Sequence, residues 1–153
     1  MINYFSFHFK SMSTFTSDME HIYYDINCQL IAYSNVYKAW SNLGKAYENM
    51  FITCEREDID EMSYNLYGIL SDVHYLKIAI LQAINIIKTY EGITDDERLF
   101  EYDNLKNKIS DYSSFDNMLD ETHDLLINIF NKPLNELDIN KLAEELDVEP
   151  EEI

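Results

Sequence analysis

Glycine, proline and cysteine are scarce in this chain: its 153 residues include three, two and two of them. Sheets and Rossmann-type units need turn glycines, so this scarcity excludes most of them and points to few turns and long helices. Two cysteines, Cys28 and Cys54, are too few for a disulfide framework. On one continuous helix they would lie ~39 Å apart, beyond bridging reach, so they read as free thiols of a reducing cytoplasm. Bases are few as well. Eleven Lys and Arg stand against 29 acids, a net charge of −18, which repels a phosphate backbone and argues against nucleic acid as a direct ligand. No run of about 18 uncharged apolar residues is present, so no membrane span is expected. Met1–Phe9 lacks the basic flank and cleavage pattern of a signal peptide. A soluble, cytoplasmic protein is expected.

What the chain has is apolar periodicity. Hydrophobic residues make up 46% of it, with 12 Tyr and 8 Phe, enough to bury a core without a staple. Met19, Tyr23, Ile26, Leu30, Tyr33, Tyr37, Trp40, Gly44, Tyr47 and Phe51 alternate in steps of four and three, a heptad seam on one long helix. Ser17 or Asp18 is the expected N-cap, with Glu20 completing a capping box after Ser17. Gly44 in this seam predicts a close helix crossing, or else a kink. A second seam runs through Ile59, Met62, Leu66, Ile69, Val73, Leu76, Ile80, Ala83, Ile87 and Tyr90. From Leu76 to Ile87 nearly every face is apolar, so that half needs more than one neighbour.

The reversal between the seams falls in Thr53–Asp58, and so short a connection implies antiparallel packing of helices ~45–50 Å long. Gly92 suits the left-handed position after the second helix. Thr94 or Asp95 can cap a third helix carrying Leu99, Tyr102, Leu105, Ile109 and Tyr112. A fourth carries Phe115, Leu119, Leu126, Ile129 and Phe130 and stops before Pro133, and a short last one turns Ile139, Leu142 and Leu146 to one side. The expected fold is therefore all-α: an elongated helical bundle built on a long antiparallel hairpin, with two or three shorter helices packed on it. Residues 1–14 read as an N-terminal extension and 15–153 as one domain. The bulky first seam needs the interior of a three- or four-helix bundle. If the short helices cover it, the protein is a monomer, the reading favoured over a dimer. If they cover only the Leu76–Ile87 half, aromatic surface near Tyr33–Trp40 stays open and would drive dimerisation.

Charge is lopsided. Residues 1–54 hold four acids and three bases, and residues 55–153 hold 25 acids and eight bases. Glu55, Glu57, Asp58, Asp60 and Glu61 surround the first reversal, with Arg56 the one base among them. Asp95, Asp96, Glu97, Glu101 and Asp103 open the third helix, where the helix dipole favours anions. Asp111, Asp116, Asp120, Glu121 and Asp124 lie in a stretch free of bases between Lys108 and Lys132. Such a surface attracts a basic partner with fast, salt-dependent association. These fifteen acids are the candidate partner-binding residues.

Catalytic grammar is missing. No phosphate-binding glycine loop or paired CxxC occurs. Asp18, His21 and Asp25, and likewise Asp116, Asp120 and His123, sit at helical spacing that suits a metal. His21 is turned away from the seam, however, and surface pairing explains both sets more simply. His21 is also ~10.5 Å along the axis from Cys28, too far to activate its thiol. No metal, cofactor or enzymatic activity is expected. The terminal INKLAEELDVEPEEI looks like half of a helix-turn-helix, but Glu144, Glu145, Asp147 and Glu149 would repel DNA, so it reads as a packing or partner-binding helix.

Leu70-Ser71-Asp72-Val73-His74-Tyr75-Leu76 resembles a helix of the all-α NTP pyrophosphatases of the MazG and dimeric dUTPase kind. The resemblance implies a magnesium-gripping ExxD element here and a paired ExxE upstream. This chain has Ile69 three before Asp72 and Gln29-Leu30-Ile31-Ala32 in the upstream place. The leading expectation is a non-catalytic acidic protein that binds and inhibits a basic, possibly nucleic-acid-binding protein. A virus- or phage-encoded inhibitor with a DNA-mimic-like surface fits best. A divergent pyrophosphatase-like protein and a structural coiled-coil adaptor are the alternatives.

Overall fold

The computed structural model describes the backbone of residues 2–48, 56–71, 73–111 and 120–153, and the side chains of 14–46, 60–70, 73–110 and 123–153. Among these residues all regular structure is helical. The order is α1 (Ile2–Glu48), α2 (Arg56–Ser71), α3 (His74–Thr89), α4 (Asp95–Asp111), α5 (Asp120–Phe130), a 3-10 turn (Leu134–Glu136), α6 (Ile139–Glu145) and a closing 3-10 turn (Pro150–Glu152). α1 packs against α2 and α3, and α3 in turn against α4 and α6. The chain is all-α, as its periodicity and its few glycines require.

α3 is the centre of the core. Leu76, Ile80, Leu81, Ala83, Ile84 and Ile87 are fully buried, which its all-round apolar sequence demanded. Around it close Met19, Ile26 and Leu30 of α1, Leu105 and Ile109 of α4, Leu126 and Ile129 of α5, and Leu142, Leu146 and Val148 at the C-terminal end. The terminal segment is thus a packing element, with its acids exposed. Asp138 caps α6 by accepting from the backbone of Asn140 and Lys141. Beyond α6, Val148 N–H donates to the Ala143 carbonyl and Asp147 N–H to that of Glu144, with Asp147 in the left-handed region at φ 58°. Gly92 takes φ 85°, the conformation expected of it after α3.

Five expectations need correction. α1 runs unbroken from Ile2, so Ser17 and Asp18 are helix-interior residues and cap nothing. The second long helix is two, because Val73 (φ −90°, ψ 36°) leaves the helical path between α2 and α3. In α2 the face toward α1 carries Ser63, Leu66 and Leu70, which leaves Met62 and Ile69 beside it, 54% and 47% exposed. Leu99, expected inside, is 52% exposed, because α4 turns Tyr102, Leu105 and Ile109 to the core. Gly44 marks no close crossing: a Cβ there would meet nothing within 4 Å. By length and composition the stretch 60–89 is apolar enough to cross a membrane, and half of its most apolar window is buried in the fold.

The core stops partway along α1. Met19, Tyr23, Ile26, Leu30 and Tyr33 are buried, yet after Ser34 no described residue of α1 is, and in α2 the one buried described residue is Leu70. Tyr37 and Trp40 continue the seam half-exposed. Tyr47 and Phe51 lie outside the described side chains.

Candidate functional site

The start of α4 is built by its own sequence. Thr94 Oγ1 accepts from Glu97 N–H at 3.2 Å, and Thr94 N–H donates to Glu97 Oε2 at 2.9 Å, a reciprocal capping box. The box holds Asp95 and Asp96 on the exposed first turn, beside the positive end of the helix dipole. Glu97 is half-buried and serves as the cap's acceptor. Glu101, also half-buried, accepts from the Tyr23 hydroxyl at 2.5 Å, with Lys108 Nζ lying 4.9 Å above the Tyr23 ring. Burial, and then the Glu101 carboxylate beside it, push the Tyr23 hydroxyl far above the usual tyrosine range. Two of the acids assigned to partner binding therefore have structural work inside the chain.

The other described acids are open. Asp60 and Glu61 on α2, Asp95, Asp96 and Asp103 on α4 and Asp124 on α5 are all exposed, and none forms an ion pair with another described residue. Among the described residues the one contact of this kind joins His74 Nε2 to Glu152 Oε2 at 3.1 Å, an ion pair when the imidazole is protonated. Glu55, Glu57, Asp58, Asp111, Asp116, Asp120 and Glu121 lie outside the described side chains, as do Cys54 and Asp72. Cys28 and His21 are exposed and do not meet. Among the described residues no group of His, Cys, Asp and Glu gathers to hold a metal.

Sequence reasoning missed a cleft of about 840 Å³ between α4 and the 130–135 turn. Asp95 and Asp103 line it, but so do Lys88, Arg98, Lys106 and Lys132. Two of these bases hold the ends of elements together. Arg98 Nη1 donates to the Ile87 carbonyl at 2.6 Å and Nη2 to that of Tyr90, closing the C-terminus of α3. Lys88 Nζ donates to the Leu137 carbonyl. At the cleft floor the Tyr102 hydroxyl donates to the Lys132 carbonyl at 2.7 Å, and burial pushes its pKa up to about 12. No spacing signals this cleft, because its bases come from three separate segments and meet only in the fold.

No protein-family model, curated protein or solved structure matches this chain. Its chemistry has to be read from its own residues. Exposed carboxylates on α2, α4 and α5, without an ion-pair partner among the described residues, attract cations.

Proposed function

We propose that this chain is a non-catalytic acidic protein that binds and blocks a basic macromolecular partner, a nucleic-acid-handling or defence protein being the best fit. On this reading it is a cytoplasmic inhibitor of viral or phage type whose carboxylates stand in for phosphates. One observation carries the proposal: six described acids of the assigned surface are exposed and lack an ion-pairing partner among the described residues, in a chain of net charge −18. Unpaired surface charge of one sign costs self-repulsion in the free protein and is relieved by an opposite surface.

The same reading includes the shape. α1 with α2 and α3 forms an elongated antiparallel hairpin. Supporting this, Trp40 meets Tyr67 at 6.2 Å near one end and Phe15 meets Tyr90 at 5.1 Å near the other. The acids then lie along both the arm and the body, spaced for a long partner rather than a small ligand.

The test is binding to basic proteins of the native host, compared between the wild type and a variant with Asp95, Asp96 and Asp103 changed to Asn. The proposal expects a salt-sensitive partner that the variant releases. Magnesium-dependent nucleotide turnover abolished by Asp72→Ala would replace this reading with that of a pyrophosphatase.

A further inference from the structure

The seam of α1 repeats one chemical situation twice. Tyr23 and Tyr37 lie two heptads apart on the same face. At Tyr23 the chain completes the site itself: the Lys108 ammonium sits over the ring at 4.9 Å, and the hydroxyl donates to the Glu101 carboxylate. At Tyr37 the aromatic surface is wider. Tyr37 and Trp40 meet at 6.1 Å and 58°, and Trp40 and Tyr67 at 6.2 Å and 54°, so three tilted rings follow one another. Tyr37 and Trp40 open onto a notch of about 490 Å³ between α1 and α2, with Asp60 on its wall. Among the described residues no base lines it, although Lys38 and Lys45 stand exposed elsewhere on α1.

We infer that this notch binds a cationic side chain, best an arginine, projected by a basic polypeptide. A ring face attracts a cation through its quadrupole, and the effect strengthens where water is partly excluded and a carboxylate stands near. A guanidinium stacks on such rings better than an ammonium does. The notch is neither flat nor purely apolar, so an aliphatic anchor would leave Asp60 desolvated and unpaired. A second copy of the chain is the poorer occupant, because it brings a charge of −18 against −18. The inference rests on the basic-partner reading and names one contact within it.

Trp40 is the sole tryptophan, so its fluorescence reports on the notch alone. The probes are a labelled Gly-Arg repeat peptide and its citrulline counterpart, which has the same shape without the charge. At low salt the arginine peptide is expected to change Trp40 emission saturably. The citrulline peptide, and the arginine peptide against Asp60→Asn or Tyr67→Leu, are expected to need at least tenfold higher concentration. Both variants alter exposed residues and keep the reporter. Anisotropy of the labelled peptide separates the two levels of the account. Peptide bound with Trp40 silent, or bound equally by Asp60→Asn, overturns the notch and leaves the acidic-surface reading standing. No binding by either signal overturns both. Trp40 emission that changes with protein concentration alone, together with a doubled mass, assigns the notch to a second copy and overturns the inference.

Discussion

The Tyr23 hydroxyl donates to Glu101 Oε2 at 2.5 Å and so ties α1 to α4 across 78 residues of sequence. The bond is charge-assisted and half-sheltered, and Lys108 lies 4.9 Å above the ring. Tyr23→Phe removes the donor while keeping the buried ring. It is expected to lower stability by about 1–2 kcal/mol in urea denaturation, without loss of helix content. An unchanged midpoint would show that water replaces the hydroxyl at no cost.

Tyr23 and Tyr102 also set the alkaline limit. Both hydroxyls titrate above the ordinary tyrosine value of about 10, mainly because burial disfavours the phenolate. Between that value and the native one, which for Tyr102 is about 12, the unfolded chain has released protons that the folded chain still holds. Stability is therefore full below about pH 10 and falls as pH rises through about 12. Tyr102→Phe, which also removes the bond to the Lys132 carbonyl, is expected to cost about 1 kcal/mol at neutral pH and to make the alkaline fall shallower. Urea midpoints of both proteins from pH 7 to 12 check this.

Ile69 and Ile80 test where the second seam changes. The sequence puts both on one stripe, yet Ile80 is fully buried and Ile69 is 47% exposed. Ile80→Ala is expected to cost about 2–5 kcal/mol, and Ile69→Ala under about 1 kcal/mol. Comparable losses at both sites would mean that the stripe is continuous and covered.

Two glycines are misplaced for stability, and one position lacks a glycine. Gly44 and Gly68 lie inside helices where a Cβ would meet nothing within 4 Å, so alanine at each is expected to add about 0.5–1 kcal/mol. Asp147 is the reverse case, a residue with a Cβ at φ 58°. Asp147→Gly relieves that strain and is expected to raise the melting temperature. A loss at Gly44→Ala would reveal a close neighbour in the free protein.

These residues also show how far the sequence could be read. Long helices, the all-round burial of α3, a cap at Thr94 or Asp95 and the turn at Gly92 are local or periodic signals, and each was legible. The break at Val73 was not, because the heptad spacing runs straight across it and no glycine or proline marks it. The roles of Glu97 and Glu101 were half legible. A capping box can be recognised from Thr94 and Glu97, whereas the Tyr23 bond joins positions 78 apart. Charge counting treated all acids alike and so grouped these two with Asp95 and Asp96, which face water. The basic cleft lay outside its reach for the same reason, since Lys88, Arg98 and Lys132 become neighbours only when α3, α4 and the 130–135 turn pack.

The central claim is that unpaired carboxylates on α2, α4 and α5 hold a basic partner. The most direct measurement is capture of host proteins on the immobilised chain at about 50 mM and 500 mM salt, where screening differs severalfold. The wild type is compared with the variant carrying Asp95→Asn, Asp96→Asn and Asp103→Asn. The account predicts a basic protein retained at low salt, released at high salt and weakened at least tenfold by the variant. A partner of neutral or acidic character, or one held equally by both proteins at both salt concentrations, would contradict it.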